Sequence, residues 1–104
     1  MELCIKQGDT IFVKLPNEID HHKAKALAEG IDEMVIEREA KELVFDFSGV
    51  KFMDSSGIGL LIGRYRNLKC LGTKVYMQGV TGHMAKLIAL SGVEKYIGKY
   101  EEIK

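Results

Sequence analysis

Phe52-Met53-Asp54-Ser55-Ser56-Gly57-Ile58-Gly59 stands where a strand ends and a helix begins. Asp54 is a helix-capping residue type placed just before an apolar-periodic run. The helix that follows reaches to about Leu71, and Gly72 suits its left-handed end. A strand feeding a helix in this way is one unit of an α/β fold.

On both sides of this stretch the pattern repeats. Glu42-Leu43-Val44-Phe45-Asp46-Phe47 is short and largely apolar, so it reads as an interior strand. Before it, Ala24, Leu27, Ala28, Ile31, Met34 and Val35 recur at helical spacing, with Asp20 able to cap the helix. Glu29, Asp32, Glu33, Glu37, Arg38 and Glu39 fall mostly on its wet side. At the N-terminus, Leu3 and Ile5, then Ile11, Val13 and Leu15, alternate with polar residues around Gly8-Asp9. This predicts an antiparallel hairpin. Pro16-Asn17 ends its second strand. Downstream, Lys74-Val75-Tyr76-Met77 is a further strand. A third helix starts near Thr81, buries Met84, Leu87 and Ile88, and ends at Ser91-Gly92. Residues from Lys95-Tyr96-Ile97 onward are read as a last edge strand. The order predicts a layered α/β domain with parallel crossovers and one antiparallel strand.

Composition narrows the function. The chain has 104 residues, most simply one domain, and 46% of them are hydrophobic. Fifteen basic and fifteen acidic residues cancel, so no strong field draws nucleic acid or anionic membrane. Lys69, Lys74, Arg64 and Arg66 form no dense patch. No apolar run approaches the roughly 20 residues of a membrane span. Met1-Glu2-Leu3-Cys4 has no signal-peptide layout. Cys4 and Cys70 lack CxxC spacing and read as reduced thiols, so a cytoplasmic protein is expected.

The helix after Asp54 carries the candidate site. With about 100° per residue, Ile58, Leu61, Ile62, Tyr65 and Leu68 lie opposite Ser56 and are expected in the core. Gly59, Leu60, Gly63, Asn67 and Cys70 fall near Ser56. The expected outer face therefore has no charge, one leucine and two glycines. Each interior glycine costs about 1 kcal/mol relative to alanine. The pair leaves a shallow groove that either another element of this domain or a partner protein fills. Ser56 sits in the first turn, among free N–H groups and at the positive end of the dipole. A phosphate there would be well placed and would put about −1.5 to −2 charges on a neutral surface. On spacing alone, Asp54-Ser55-Ser56 need do no more than cap a helix.

Other chemistries fit poorly. Gly57-Ile58-Gly59 with Gly63 gives GxGxxxG rather than GxGxxG, and the residue some twenty positions on is Gln78, not an acid. Weak nucleotide binding at a helix N-terminus stays open. His21 and His22 are adjacent, so they diverge by about 100° and do not chelate one ion simply. No metal or other cofactor is expected. There is no GxSxG elbow and no evident base for Ser56, so no enzyme is expected.

Phe52-Met53-Asp54-Ser55-Ser56-Gly57-Ile58-Gly59, with Gly63-Arg64-Tyr65-Arg66, resembles the anti-sigma-factor antagonists of the STAS family, most narrowly the sporulation, sigma-F type. Glu18-Ile19-Asp20-His21-His22 is similar to the opening of that family's first helix, and Leu90-Ser91-Gly92-Val93 to the turn after its third. The resemblance covers almost the whole chain and implies a STAS fold. It implies that Ser56 is phosphorylated by an anti-sigma factor that is an ATP-dependent serine kinase. The unphosphorylated antagonist binds that kinase, loaded with ADP or ATP, and frees the sigma factor. The phosphorylated form cannot bind it, and a PP2C-like phosphatase restores the unphosphorylated form. By carry-over, Asp20 lies near Ser56 on the interface, and Asp54, Ser55, Gly57 and Gly59 shape the site; His21 or His22, beside Asp20 in the chain, is a further candidate contact for the partner. Gly59, Leu60 and Gly63 join it from the helix projection. The alternatives are a STAS module in the general stress response or a signalling complex, or a weak nucleotide binder. Family members usually continue into a C-terminal helix, whereas this chain stops at Glu101-Glu102-Ile103-Lys104. Weak self-association through exposed apolar surface is the expectation.

Overall fold

The computed structural model describes residues 4–100; Leu3 of the expected hairpin and the tail stretch Glu101–Lys104 lie outside them. The alternation around Gly8 does form a hairpin. Strands β1 (Cys4–Gln7) and β2 (Thr10–Lys14) pair antiparallel, with Ile5 opposite Phe12. Gly8 takes a φ of 59°, the left-handed conformation that a tight turn requires.

Two further strands of two residues each are β3, Glu18–Ile19, where no strand was expected, and β5, Phe52–Met53, at the expected strand-to-helix junction. They form a separate parallel two-stranded sheet, Ile19 against Met53. Between them lie helix α1 (His21–Arg38) and strand β4 (Glu42–Asp46). Helix α2 (Ser55–Lys69), β6 (Lys74–Gln78) and α3 (Gly82–Ser91) follow. A 3₁₀ turn, Val93–Lys95, then leads to β7 (Gly98–Lys99). The main sheet runs β1-β2-β4-β6-β7, parallel except for the hairpin. This is the expected layered α/β fold with a small, mostly parallel sheet. The edge strand expected from Lys95 onward begins only at Gly98, because Lys95 closes the 3₁₀ turn and Tyr96 and Ile97 stand between that turn and β7.

β4 is central, and Leu43, Val44 and Phe45 are all buried, as its continuous apolar run implies. Ile11, Val13, Leu43, Phe45, Val75 and Met77 share one core with Leu27 and Ile31 of α1, Leu61 and Leu68 of α2, and Ile88 of α3. Phe12, Val44 and Tyr76 form one cross-strand row on the opposite face. There Tyr100 sets its ring edge-on to Phe12 and Tyr76, at 5.4 and 5.8 Å.

The expected core face of α2 is corrected by roughly a quarter turn. Gly57, Leu60, Leu61, Arg64 and Leu68 are the buried stripe. Leu60, placed on the outer face by projection, is only 3% exposed and belongs to the core. Ile58, Ile62 and Tyr65, expected in the core, are only half-buried at its edge. The reason is that α2 packs against α1 as well as against the sheet. Arg64 enters the stripe because Asp32 of α1 neutralises it at 2.7 Å.

Candidate functional site

The site is built from two helix starts held in step. Asp54 N–H donates to the Ile19 carbonyl at 3.2 Å, extending the Ile19–Met53 pairing. Asp20 and Asp54 are the residues immediately after that pair, and each caps its own helix. The Asp20 carboxylate accepts the Lys23 N–H at 2.9 Å, and the Asp54 carboxylate accepts the Ser56 N–H at 2.8 Å. Both caps are exposed. The N-termini of α1 and α2 therefore open side by side, each with its positive dipole end toward the same region.

Hydrogen bonding from the Lys23 N–H holds the Asp20 carboxyl below its ordinary value, against an opposing desolvation. The charges of His22 and Lys23 act in the same direction as the hydrogen bond. Asp20 is thus a fixed negative charge beside the start of α2. His21 and His22 are exposed, their rings 5.9 Å apart and steeply inclined. Among the described residues no group of three His, Cys, Asp or Glu side chains is arranged to hold a metal ion.

Ser56 is half-buried and Ser55 exposed, in the first turn of α2. That turn carries no acidic side chain. Among the described residues the Ser56 hydroxyl has no hydrogen-bond partner, so no side chain is poised there as a general base. Among the described residues, hollows of about 210 to 560 Å³ open elsewhere on the surface, and neither Asp20 nor Ser56 lines them. An open surface of this kind suits a macromolecule better than a small substrate.

The glycines divide into two kinds. Gly57 is buried, and a Cβ there would collide with Cγ and Sδ of Met53. It shapes the site from beneath by letting α2 lie close on β5. Gly59 is exposed and Gly63 half-exposed, and a Cβ at either would meet nothing within 4 Å. No described element of this chain fills the space beside these two glycines, whereas Leu60 of the same expected face is covered by the core and Asn67 donates to Asp32 of α1, so the intramolecular reading of the groove holds for part of that face. Leu60 leaves the candidate surface for the core, while Asp20, His21, Asp54, Ser55 and Ser56 gather at one pole. Gly59 lies one turn further along α2, and Gly63 one turn beyond that.

Sequence reasoning passed over Phe52. It is 60% exposed on β5, two residues before Asp54, and displays a large apolar side chain at this pole. The signal was an aromatic residue two positions before the cap, in a strand too short to show alternation.

Residues 4–104 match the STAS domain. The chain is 30% identical over 91 residues to the anti-sigma F factor antagonist of Paenibacillus polymyxa, covering 88% of this chain and 78% of that one. It is 26% identical over 95 residues to the anti-sigma-B factor antagonist of Listeria monocytogenes, covering 89% and 82%. Its fold is similar to the anti-sigma factor antagonist SpoIIAA in its unphosphorylated form, with a TM-score of 0.81 at 24% identity over 95% of this chain and 87% of that one. It is also similar to the Bacillus cell fate determinant SpoIIAA in the phosphorylated form, with a TM-score of 0.72 at 26% identity, covering 94% and 88%. With both the sequence and the packing in agreement, the chain belongs to the STAS domain family.

Proposed function

We propose that this chain is an anti-sigma factor antagonist switched by phosphorylation of Ser56. In the unphosphorylated state it docks an anti-sigma factor, itself a serine kinase carrying ADP or ATP, and so releases a sigma factor. Phosphorylation by that kinase ends the docking, and a PP2C-like phosphatase reverses it. The chain is a substrate and binding module in this scheme, not an enzyme, and it acts in the cytoplasm. No helix of the described residues is long and apolar enough to cross a membrane.

One observation carries the proposal: the Ser56 hydroxyl, without a hydrogen-bond partner among the described residues, stands in the first turn of α2, next to the helix start capped by Asp20. A phosphate on Ser56 would be met by the dipole of its own helix, which favours the modified state locally. The same group would add about −1.5 to −2 charges beside Asp20 and Asp54. A kinase surface fitted to the unmodified pole would then face an added charge stripped of water, and docking would weaken. Gly59 and Gly63 leave the neighbouring backbone open to close approach. Phe52 supplies an apolar anchor beside it.

The test is intact mass and site mapping after incubation with an anti-sigma kinase and ATP. One added phosphate on the wild type, absent from Ser56→Ala, is the expected result. No phosphate on either, with a kinase active on another antagonist, would overturn it. The likeness to antagonists of sigma-B keeps a second reading in view, a module of the general stress response. Affinities for a panel of anti-sigma kinases separate the two.

A further inference from the structure

At the pole opposite Ser56 a hollow of about 440 Å³ opens between the end of α2, the start of β6 and the stretch leading to β7. It exists because β7 pairs with β6 only at Tyr76 and Met77. The edge of β6 at Lys74 and Val75 therefore has no strand beside it among the described residues. Val75 and Thr73 are buried and form the floor. Tyr65, Tyr76 and Tyr96 form the walls. Gly98 lies at the rim, and a Cβ on it would meet nothing within 4 Å.

Two features of this hollow serve no evident structural end. The Tyr96 ring is 55% exposed, lying 5.6 Å from that of Tyr65 at 46°, which leaves much of its surface free. Lys69 and Lys74 line the hollow, no carboxylate lines it, and among the described residues neither lysine has a carboxylate within 4.0 Å. Lys69 is already drawn over the Tyr65 ring, 5.5 Å from its centre. In a chain of zero net charge this is a local excess of two positive charges over an apolar floor.

We propose that this hollow is a binding site for a small aromatic anion, a single ring bearing a carboxylate or a phosphate. The ring would lie against Tyr96 and Tyr65, where aromatic surfaces attract one another beyond their buried area. The anionic group would reach Lys69 and Lys74 at the mouth. The volume falls in the range of about 300 to 1,000 Å³ typical of small-molecule sites, and walls largely of apolar and aromatic surface with a few cations are their usual lining. The site lies about 20 Å along α2 from Ser56, at 1.5 Å per residue. Its occupation is therefore independent of the docking pole and of the reading given to Ser56.

The test is amide NMR on the full chain, titrated with phenyl phosphate and with benzoate, and with inorganic phosphate and phenol as partial ligands. Saturable shifts at Gly72, Thr73 and Gly98 are expected, tighter for the two aromatic anions than for either partial ligand. Which aromatic anion binds tighter identifies the preferred charged group. Tyr96→Ala should weaken binding about tenfold, equivalent to about 1.4 kcal/mol. Gly98→Val, which removes no contact and fills the rim, should weaken it too. Lys69→Gln with Lys74→Gln should erase the preference for the anions over phenol. The proposal is overturned if no saturable shift appears at these amides. It is equally overturned if inorganic phosphate binds as tightly as phenyl phosphate, or if Tyr96→Ala and Gly98→Val both leave affinity unchanged.

Discussion

Arg64 of α2 and Asp32 of α1 meet at 2.7 Å, with only 9% of the arginine side chain and 23% of the aspartate's exposed. Asn67 donates to the second aspartate oxygen at 3.2 Å. The Arg64 Nε approach is a close charge contact rather than an aligned hydrogen bond. A pair this dry has lost most of its hydration, and its attraction roughly offsets that loss.

The expected outcome of breaking it is asymmetric. Asp32→Ala leaves a buried guanidinium without counter-charge and should cost about 2–4 kcal/mol. Replacing both partners, Arg64→Met with Asp32→Leu, should bring stability back to within about 1 kcal/mol of the parent. Urea denaturation of the three variants measures this. If the double variant is no more stable than Asp32→Ala, net attraction rather than matched burial holds α1 to α2.

Gly57 and Met53 make a second testable contact. The glycine lets α2 lie on the Met53 side chain, and a methyl group placed there would occupy the space of Cγ and Sδ. Gly57→Ala should destabilise by about 1–3 kcal/mol through overpacking. Met53→Ala should also destabilise, by leaving a cavity, since Met53 is itself buried. Combined, they should cost clearly less than their sum, because the methyl enters the space the thioether leaves. Additive losses in thermal or urea unfolding would mean that the two sites do not compete for one volume.

How far the sequence reached is explained by what is local. The cap at Asp20, the hairpin around Gly8 and the left-handed Gly72 depend on a few neighbouring residues, and all three were legible. The interior position of β4 was legible because an unbroken Leu43-Val44-Phe45 run has nowhere to lie but inside. β3 was not, since two residues are too few to display a period. With it the relation of Asp20 to Asp54 was hidden, because it arises from a parallel pairing between segments far apart in the chain. The face of α2 was misjudged because Arg64 breaks the buried stripe in sequence, while Ile58, Ile62 and Tyr65 advertise a competing one. Only the partner charge on Asp32, invisible to periodicity, makes an arginine acceptable there.

The Asp20 cap has a predictable pH dependence. Its carboxyl is held below the ordinary range, first by the Lys23 N–H, so the folded state binds this proton more weakly than the unfolded state does. The cap therefore stabilises α1 fully above the unfolded value of about 3.9, and loses that contribution as pH falls through the lower folded value. A carboxyl-carbon NMR titration should place the Asp20 midpoint below about 3.9. The stability gap between wild type and Asp20→Ala should narrow on acidification. A gap that is constant from neutral pH into strong acid would show that the carboxylate charge does not matter to the cap.

On the proposed switch, charge rather than bulk should decide docking. Ser56→Ala removes the hydroxyl, leaves the Asp54 cap on the backbone N–H in place, and adds nothing to the open pole. It should bind an ADP-loaded anti-sigma kinase as tightly as the unphosphorylated wild type, and addition of ATP should not release it. Ser56→Asp adds one charge and fewer acceptor oxygens than a phosphate, so it should mimic the modified state only in part. A loss of about 10- to 100-fold in affinity is expected, or roughly 1.4 to 2.7 kcal/mol. Ser55→Ala separates the neighbouring hydroxyl, which is exposed and takes no part in the cap bond from the Ser56 N–H to Asp54. It should still take up one phosphate. Raising the salt concentration should shrink the Ser56→Asp penalty if part of it is unscreened repulsion at the rim. Calorimetry or surface-binding measurements on the three variants resolve the question. Equal affinities for Ser56→Ala and Ser56→Asp would place the switch in a conformational change rather than in the charge at the start of α2.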